Sequence, residues 1–371
     1  MKICSSFDKH ILLAPNAFKG SLKAEEFCQV LSEELQSSTL KISSYPMCDG
    51  GDGTANIIAS YWKAQPIAFT TIDALGRTHE IIYYISGNTA ILDLATICGI
   101  QYLKPQEYNI YQATTAGLGK VLFHLSKQPI NHIILGVGGS ASIDGGLGAL
   151  VEMGLKIVKR SDRFKNHLID IMDIDIIQLK DNFKHIRWTI LCDVENPLCG
   201  PEGAALTFGP QKGASPYQIA LLDKKLQRYA QLLFKEKAKD LLVLKHGGAA
   251  GGIAAAFYAL FGAELISGAE YCLEISNIKQ ELSHADWVIT GEGKLDDQSL
   301  NGKLLGVLSS LCQQYHIPLI AIAGSIVSPL PHFEHLYSFL DYAPNLEEAI
   351  CNPLHYLRQI AKNLKTYFLK L

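Results

Sequence analysis

The sequence has no stretch approaching the ~18 uninterrupted apolar residues of a membrane-spanning helix. Its opening, MKICSSFDKHILLAP, has no apolar core or cleavage signal of a secretory leader, so a cytoplasmic protein is expected. It has no basic run: 33 Lys and Arg face 36 Asp and Glu, a formal net charge of −3. The electrostatic footprint of a nucleic-acid binder or of a protein held on anionic lipid is therefore missing. It has no C-x-x-C pair, and nine scattered cysteines without metal-ligand spacing read as buried thiols in a reducing compartment. Neither G-x-G-x-x-G after the first strand-like run nor a Walker pattern occurs, which weighs against a nicotinamide-dependent oxidoreductase. No Ser-His-Asp or Cys-His grouping is evident by spacing.

What is present is a chain of 371 residues, 48% apolar and 19% charged, with 31 glycines. That composition builds a large core joined by tight turns, over two domains or one large one. Several segments repeat one shape: a short apolar run, a glycine-rich loop carrying Asp, Lys or Ser, then a helix pattern. His10 to Ala14 leads into Asn16-Ala17-Phe18-Lys19-Gly20-Ser21 and a helix for which Ser21 is a candidate N-cap. Lys41 to Pro46 leads into Cys48-Asp49-Gly50-Gly51-Asp52-Gly53-Thr54. Trp287 to Ile289 leads into a loop holding Glu292, Lys294, Asp296 and Asp297, with a helix opening near Gly302 and Lys303 in its first turn. In open α/β sheets such loops sit at the carboxyl ends of the strands, where ligands bind, and helix starts and lysines favour anions. Grouped carboxylates favour a hard cation. The same loops also fit solvated turns and surface lysines.

After Pro66 the texture changes. Ile67–Asp73, His79–Ile85 and Thr89–Ala95 are strand-like and separated by short turns, which implies antiparallel hairpins. The simplest organisation is a parallel-sheet α/β domain (1–65 and 284–371) interrupted by an inserted mixed-sheet α/β domain (66–283). In the insert, His132 to Gly136 precedes GVGGSASIDGGLGAL, whose Ser140 and Ser142 could hold a carboxylate or phosphate and whose Asp144 could hold a hydroxyl or a metal. Trp188 to Cys192 precedes a long Gly/Pro loop with Asp193, Glu195, Asn196, Lys212 and Ser215. Residues 160–185 read as irregular and peripheral. Asn345 with Glu348 is a capping-box pattern, and Pro353 should split or kink the last helix.

APNAFKGSL (14–22), PMCDGGDGT (46–54), GVGGSASIDGG (136–146), CDVENPLCGPEGAALTFGPQKGA (192–214), GGAAGG (247–252) and VITGEGKLDDQSLNGK (288–303) together resemble the bacterial glycerate kinase family. The resemblance implies a Rossmann-like domain interrupted by a second α/β domain, and ATP-dependent phosphorylation of D-glycerate with Mg2+. It also implies 2-phosphoglycerate as product. The chain departs from the family pattern at Asn16-Ala17, where Asp-Ser is usual, at Asp52, where Glu is usual, and at Ser142-Ile143, where Thr-Asn is usual.

On this resemblance the chemistry is expected in an inter-domain cleft, with Asp193, Lys19 and Asp296 as catalytic groups. Arg77, Ser21, Ser140 and Asp144 are the expected substrate contacts. Lys294, Gly302, Lys303 and the Gly291 and Gly293 backbone are the expected nucleotide contacts. Asp49, Asp52 and Asp296 are the expected Mg2+ ligands, directly or through water. The expected partners are D-glycerate and nucleotide, with no nucleic acid and no membrane, and there is room for a homodimer. The alternatives are a glycerate 3-kinase giving 3-phosphoglycerate and a non-catalytic two-lobed binder of hydroxy acids.

Overall fold

A computed structural model describes residues 9–234, 238–296, 304–328 and 330–370. Strands β1 (Lys9–Leu13) and β2 (Leu40–Ser44) open the chain. Then come β3 (Gln65–Ile72), β4 (Thr78–Ser86), β5 (Thr89–Asp93), β6 (His132–Gly136), β7 (Lys156–Lys159), β8 (Ile171–Asp175), β9 (Arg187–Cys192) and β10 (Glu264–Ser267). β11 (Trp287–Leu295), β12 (Leu319–Ile326) and β13 (His335–Ser338) close it. The fold is α/β and divides into two compact units, Met1–Asp49 with Ala269–Leu371, and Gly50–Gly268.

The first unit is built on a five-stranded sheet in the order β13-β12-β11-β1-β2, with every pairing parallel. Where its central strands cross the core, at residues 11–13, 288–289 and 319–323, they are apolar because both faces are covered. On one face Ile320 and Ile322 join Ile11, Leu13 and Ile289 beneath helices Ala24–Leu35 and Pro353–Phe368. On the other face Ala321 and Ala323 pack with Leu305 of helix Leu304–Gln314. The last helical stretch is split at Pro353, and Asn345 caps its first half by accepting from Glu348 N at 2.9 Å.

The second unit carries a six-stranded sheet in the order β10-β9-β6-β5-β4-β3. β5, β6, β9 and β10 run parallel, whereas β3, β4 and β5 pair antiparallel through their short turns. β7 and β8 form a separate antiparallel ribbon. Trp188 anchors the core edge-on to Phe257, with centroids 5.0 Å apart.

Several expectations are corrected. The domain boundaries fall at 49/50 and 268/269 instead of 65/66 and 283/284. Helix Thr54–Trp62 packs on β4 and β5, and its Ala55 N–H donates to the Asp93 carboxylate at the end of β5. Cys272, beyond β10, accepts from Cys48 N of the first unit at 3.2 Å. β11 does not stop at Thr290. It continues through Glu292 and Lys294, because β12 offers a full-length parallel partner as far as Ile326. Residues 160–185 are not merely irregular: Leu168, Ile171, Leu179 and Phe183 are buried in the core. The loop after β9 contains helix Ala204–Phe208 and the turn Pro210–Lys212.

Candidate active site

In the second unit the carboxyl ends of the parallel strands are level, with Asp93 opposite Gly136 and Gly136 opposite Leu191. Three chain segments meet at this edge. Gly138 N donates to Gly50 O at 2.9 Å, and Val137 N donates to Leu191 O at 3.1 Å. These bonds tie the loop after β6 to the end of β9 and to the Gly50–Gly53 turn. Asp193, half-buried, is the first residue past β9. A Cβ built on Gly138 would lie 2.7 Å from Asp193 Oδ2 and 2.6 Å from Gly51 Cα. Only glycine lets the loop run this close beneath the carboxylate. Asp52 stands one residue past Gly51, half-buried, on the same turn.

Sequence reasoning noticed Lys212 but gave it no role. It is 4% exposed, and its Nζ donates to Ser140 Oγ at 2.8 Å and to Ser142 O at 2.7 Å. Burial pulls its pKa down to about 8, against the opposing pull of the Asp144 and Asp193 charges. Ser140 therefore lies beneath the site as an acceptor for Lys212.

Asp144 is not available for a substrate hydroxyl or a metal. It is fully buried and accepts from Thr115 N, Thr115 Oγ1, Ser142 Oγ, Gly146 N and Gly148 N at 2.8–3.2 Å. Those five donors saturate a carboxylate, so Asp144 ties its own loop to the start of helix Ala116–Leu125. Arg77 is likewise committed to a turn. It pairs with Asp73 at 2.5 Å and Glu107 at 2.7 Å and donates to Tyr102 O, which leaves its expected substrate duty without support. Burial opposes ionisation of Asp73, but hydrogen bonds from Arg77 and Leu75 hold it below the usual carboxylate range.

In the first unit a cavity of about 300 Å³ opens at the carboxyl ends of β1, β11 and β12. One wall is apolar, formed by Phe18, Phe339, Leu346 and Ile350. Lys19, Glu292, Lys294 and Asp296 also line the cavity. Lys294 Nζ and Asp296 Oδ2 are 3.0 Å apart, with Lys294 more than half exposed. Gly293 lines the cavity, and a Cβ built on it would lie 3.4 Å from the Lys19 amide nitrogen. Gly291 does something else: its bare Cα leaves room for the Phe18 and Phe27 rings. Ser21 is not a helix cap. Lys23 takes that position, and Ser21 Oγ donates to Ile350 O at 3.1 Å on the cavity wall. Asp49 accepts from Asn16 Nδ2 at 3.0 Å, while Asn16 Oδ1 takes the Ala17 N–H. Gly302 and Lys303 lie outside the described residues.

The donor set suits a nucleotide with a hard cation: lysines, loop amides, an apolar wall and single carboxylates. Among the described residues, no group of three or more His, Cys, Asp or Glu side chains could hold a metal. No helix among the described residues is long and apolar enough to cross a membrane.

Comparison with known proteins bears on the family of the chain. The model of the glycerate kinase family matches residues 11–369. A glycerate kinase of Halalkalibacterium halodurans is 32% identical, over 95% of this chain and 97% of its own. A glycerate 2-kinase of Escherichia coli K12 is 33% identical, over 95% and 96%. A crystal structure assigned as glycerate kinase 2 from Salmonella typhimurium LT2 superposes with a TM-score of 0.78 at 31% identity, covering 98% of both chains.

Proposed function

The chain belongs to the glycerate kinase family, so it is a phosphotransferase with an alcohol acceptor, and we propose that it phosphorylates the 2-hydroxyl of D-glycerate with ATP. Family membership removes the case for a non-catalytic binder. The observation that carries the reading is Asp193, a partly exposed carboxylate at a strand end, seated on a glycine loop. The name of the E. coli relative, glycerate 2-kinase, supports the 2-hydroxyl.

Phosphoryl transfer asks a protein mainly for positioning and charge. Asp193 orients the glycerate hydroxyl and takes its proton as the oxygen bonds to the γ-phosphorus and the bond to ADP breaks. The apolar wall of the first unit's cavity takes the base, and Lys19 and Lys294, which also line the cavity, hold phosphate oxygens. Asp296 has two duties, holding Lys294 and offering oxygen to the cation. Asp49 and Asp52 are the further candidates for Mg2+, and Gly302 and Lys303 for the phosphates. Mg2+ takes one or two carboxylates, several waters and substrate phosphates, so it needs no preformed cage. Bound there, the ion would neutralise charge on the β- and γ-phosphates. A cytoplasmic location fits an enzyme that draws on ATP.

Phosphorus NMR of the product made from ATP and D-glycerate tests the reading. An ester on the 2-hydroxyl couples to one carbon-bound proton and gives a doublet. An ester on the 3-hydroxyl couples to two and gives a triplet, which would move the assignment to 3-phosphoglycerate. No phosphate ester at all would overturn the substrate.

A further inference from the structure

We propose that Lys212 is a positioning residue for phosphoryl transfer: anchored on Ser140 and Ser142, it holds the loop on which Asp193 is seated and so fixes the aim of that carboxylate. The inference rests on Asp193 as the group that handles the substrate hydroxyl.

Lys212 is held by local geometry. It ends the turn Pro210–Lys212, its amide donates to Gly209 O at 3.0 Å, and Gly213 follows at φ +78°. The turn aims the side chain inward, where it is only 4% exposed. Burying an ammonium costs several kcal/mol unless charge and hydrogen bonds compensate. Its two acceptors are neutral oxygens, Ser140 Oγ and Ser142 O. The charges that compensate are Asp144 and Asp193. Asp144, the larger of the two, spends its hydrogen bonds on its own loop and on Thr115. Asp193 is the one that faces the edge where ligands bind.

Both acceptors also belong to the loop on which Asp193 is seated, two and four residues past Gly138. A single cation therefore pins the floor beneath the carboxylate. An apolar side chain of similar length would fill the same space without the desolvation cost. The buried ammonium is thus explained by the loop it ties beneath Asp193 and not by packing.

The test is a cycle of Lys212→Met, Asp193→Asn and the double variant, read on whichever hydroxy acid the wild type phosphorylates. Lys212→Met should lower kcat about 100-fold, with KM for ATP within about twofold. In the Asp193→Asn background it should add less than about threefold, because the two act as a unit. Losses that multiply, or a folded Lys212→Met with kcat within about twofold of wild type, would overturn the proposal. Should Lys212→Met fail to fold, Ser140→Ala decides: about fivefold lower kcat with unchanged KM supports it, and unchanged kcat overturns it. Wild-type enzyme that ignores D-glycerate sinks the substrate reading alone, since the cycle is run on the accepted acid.

Discussion

Asp193 and Gly138 make one arrangement out of two residues that are 55 positions apart in the chain. The glycine has no Cβ, so the carboxylate can sit on its backbone. Asp193→Asn keeps the shape but loses the proton acceptor, and kcat should fall about 10²–10⁴-fold with nucleotide binding unchanged. Steady-state kinetics with both substrates varied checks this. Gly138→Ala places a methyl 2.7 Å from Asp193 Oδ2 and 2.6 Å from Gly51 Cα, and a backbone atom cannot step aside cheaply. Here turnover should drop at least tenfold, with a stability loss of about 1–3 kcal/mol, read from paired kinetics and urea melts. The neighbouring Asp144 shows how far residue type misleads. An aspartate in a glycine loop looks like a ligand, but two of its five donors come from Thr115, 29 residues away and invisible in its own segment.

At the scale of elements, the strand–loop–helix rhythm is legible because buried parallel strands are apolar on both faces, and β6 begins and ends where its sequence does. Legibility ends where partners decide. Thr290 to Leu295 has no strand pattern of its own, yet β12 pulls it into the sheet. In sequence Lys212 is one polar residue among several in a long Gly/Pro loop, and only the turn Pro210–Lys212 buries it. Helix Thr54–Trp62 follows a strand of the first unit but is held by Asp93 of the second, which shifts the boundary.

The amino end of β6 carries a consequence for pH. His132 Nδ1 can only accept from Arg187 Nη2, at 3.0 Å, so Nε2 holds the proton and donates to Thr189 Oγ1, also at 3.0 Å. Burial, then the Arg187 charge, lower its pKa from 6.5 to about 4. Between those values the unfolded chain binds a proton that the folded one refuses. The contribution of His132 to stability is therefore full above pH 6.5, falls as pH drops toward 4, and falls no further below. Melting temperature measured across that window should decline on acidification, and more shallowly in His132→Asn. Equal slopes would assign the decline to other groups.

At the scale of the whole molecule, the proposed duties are divided. The cavity with Lys19 and Lys294 belongs to the first unit, and Asp193 with its glycine loop to the second. A ligand that binds only the folded state stabilises it by about 2.7 kcal/mol at 100 times its Kd. For a domain of this size that is a rise of roughly 5–10 °C in melting temperature. ATP with Mg2+ should therefore raise the first unit's transition in the wild type and equally in Asp193→Asn. The rise should largely vanish in Lys19→Ala/Lys294→Ala, because these exposed lysines are the cavity's source of positive charge among the described residues. Two units can melt separately, so the transition must be followed with a reporter in each. Trp287 of β11 serves for the first unit and Trp188 of β9 for the second. If the rise survives removal of both lysines but is lost in Asp193→Asn, the nucleotide belongs to the second unit and the division of labour is reversed.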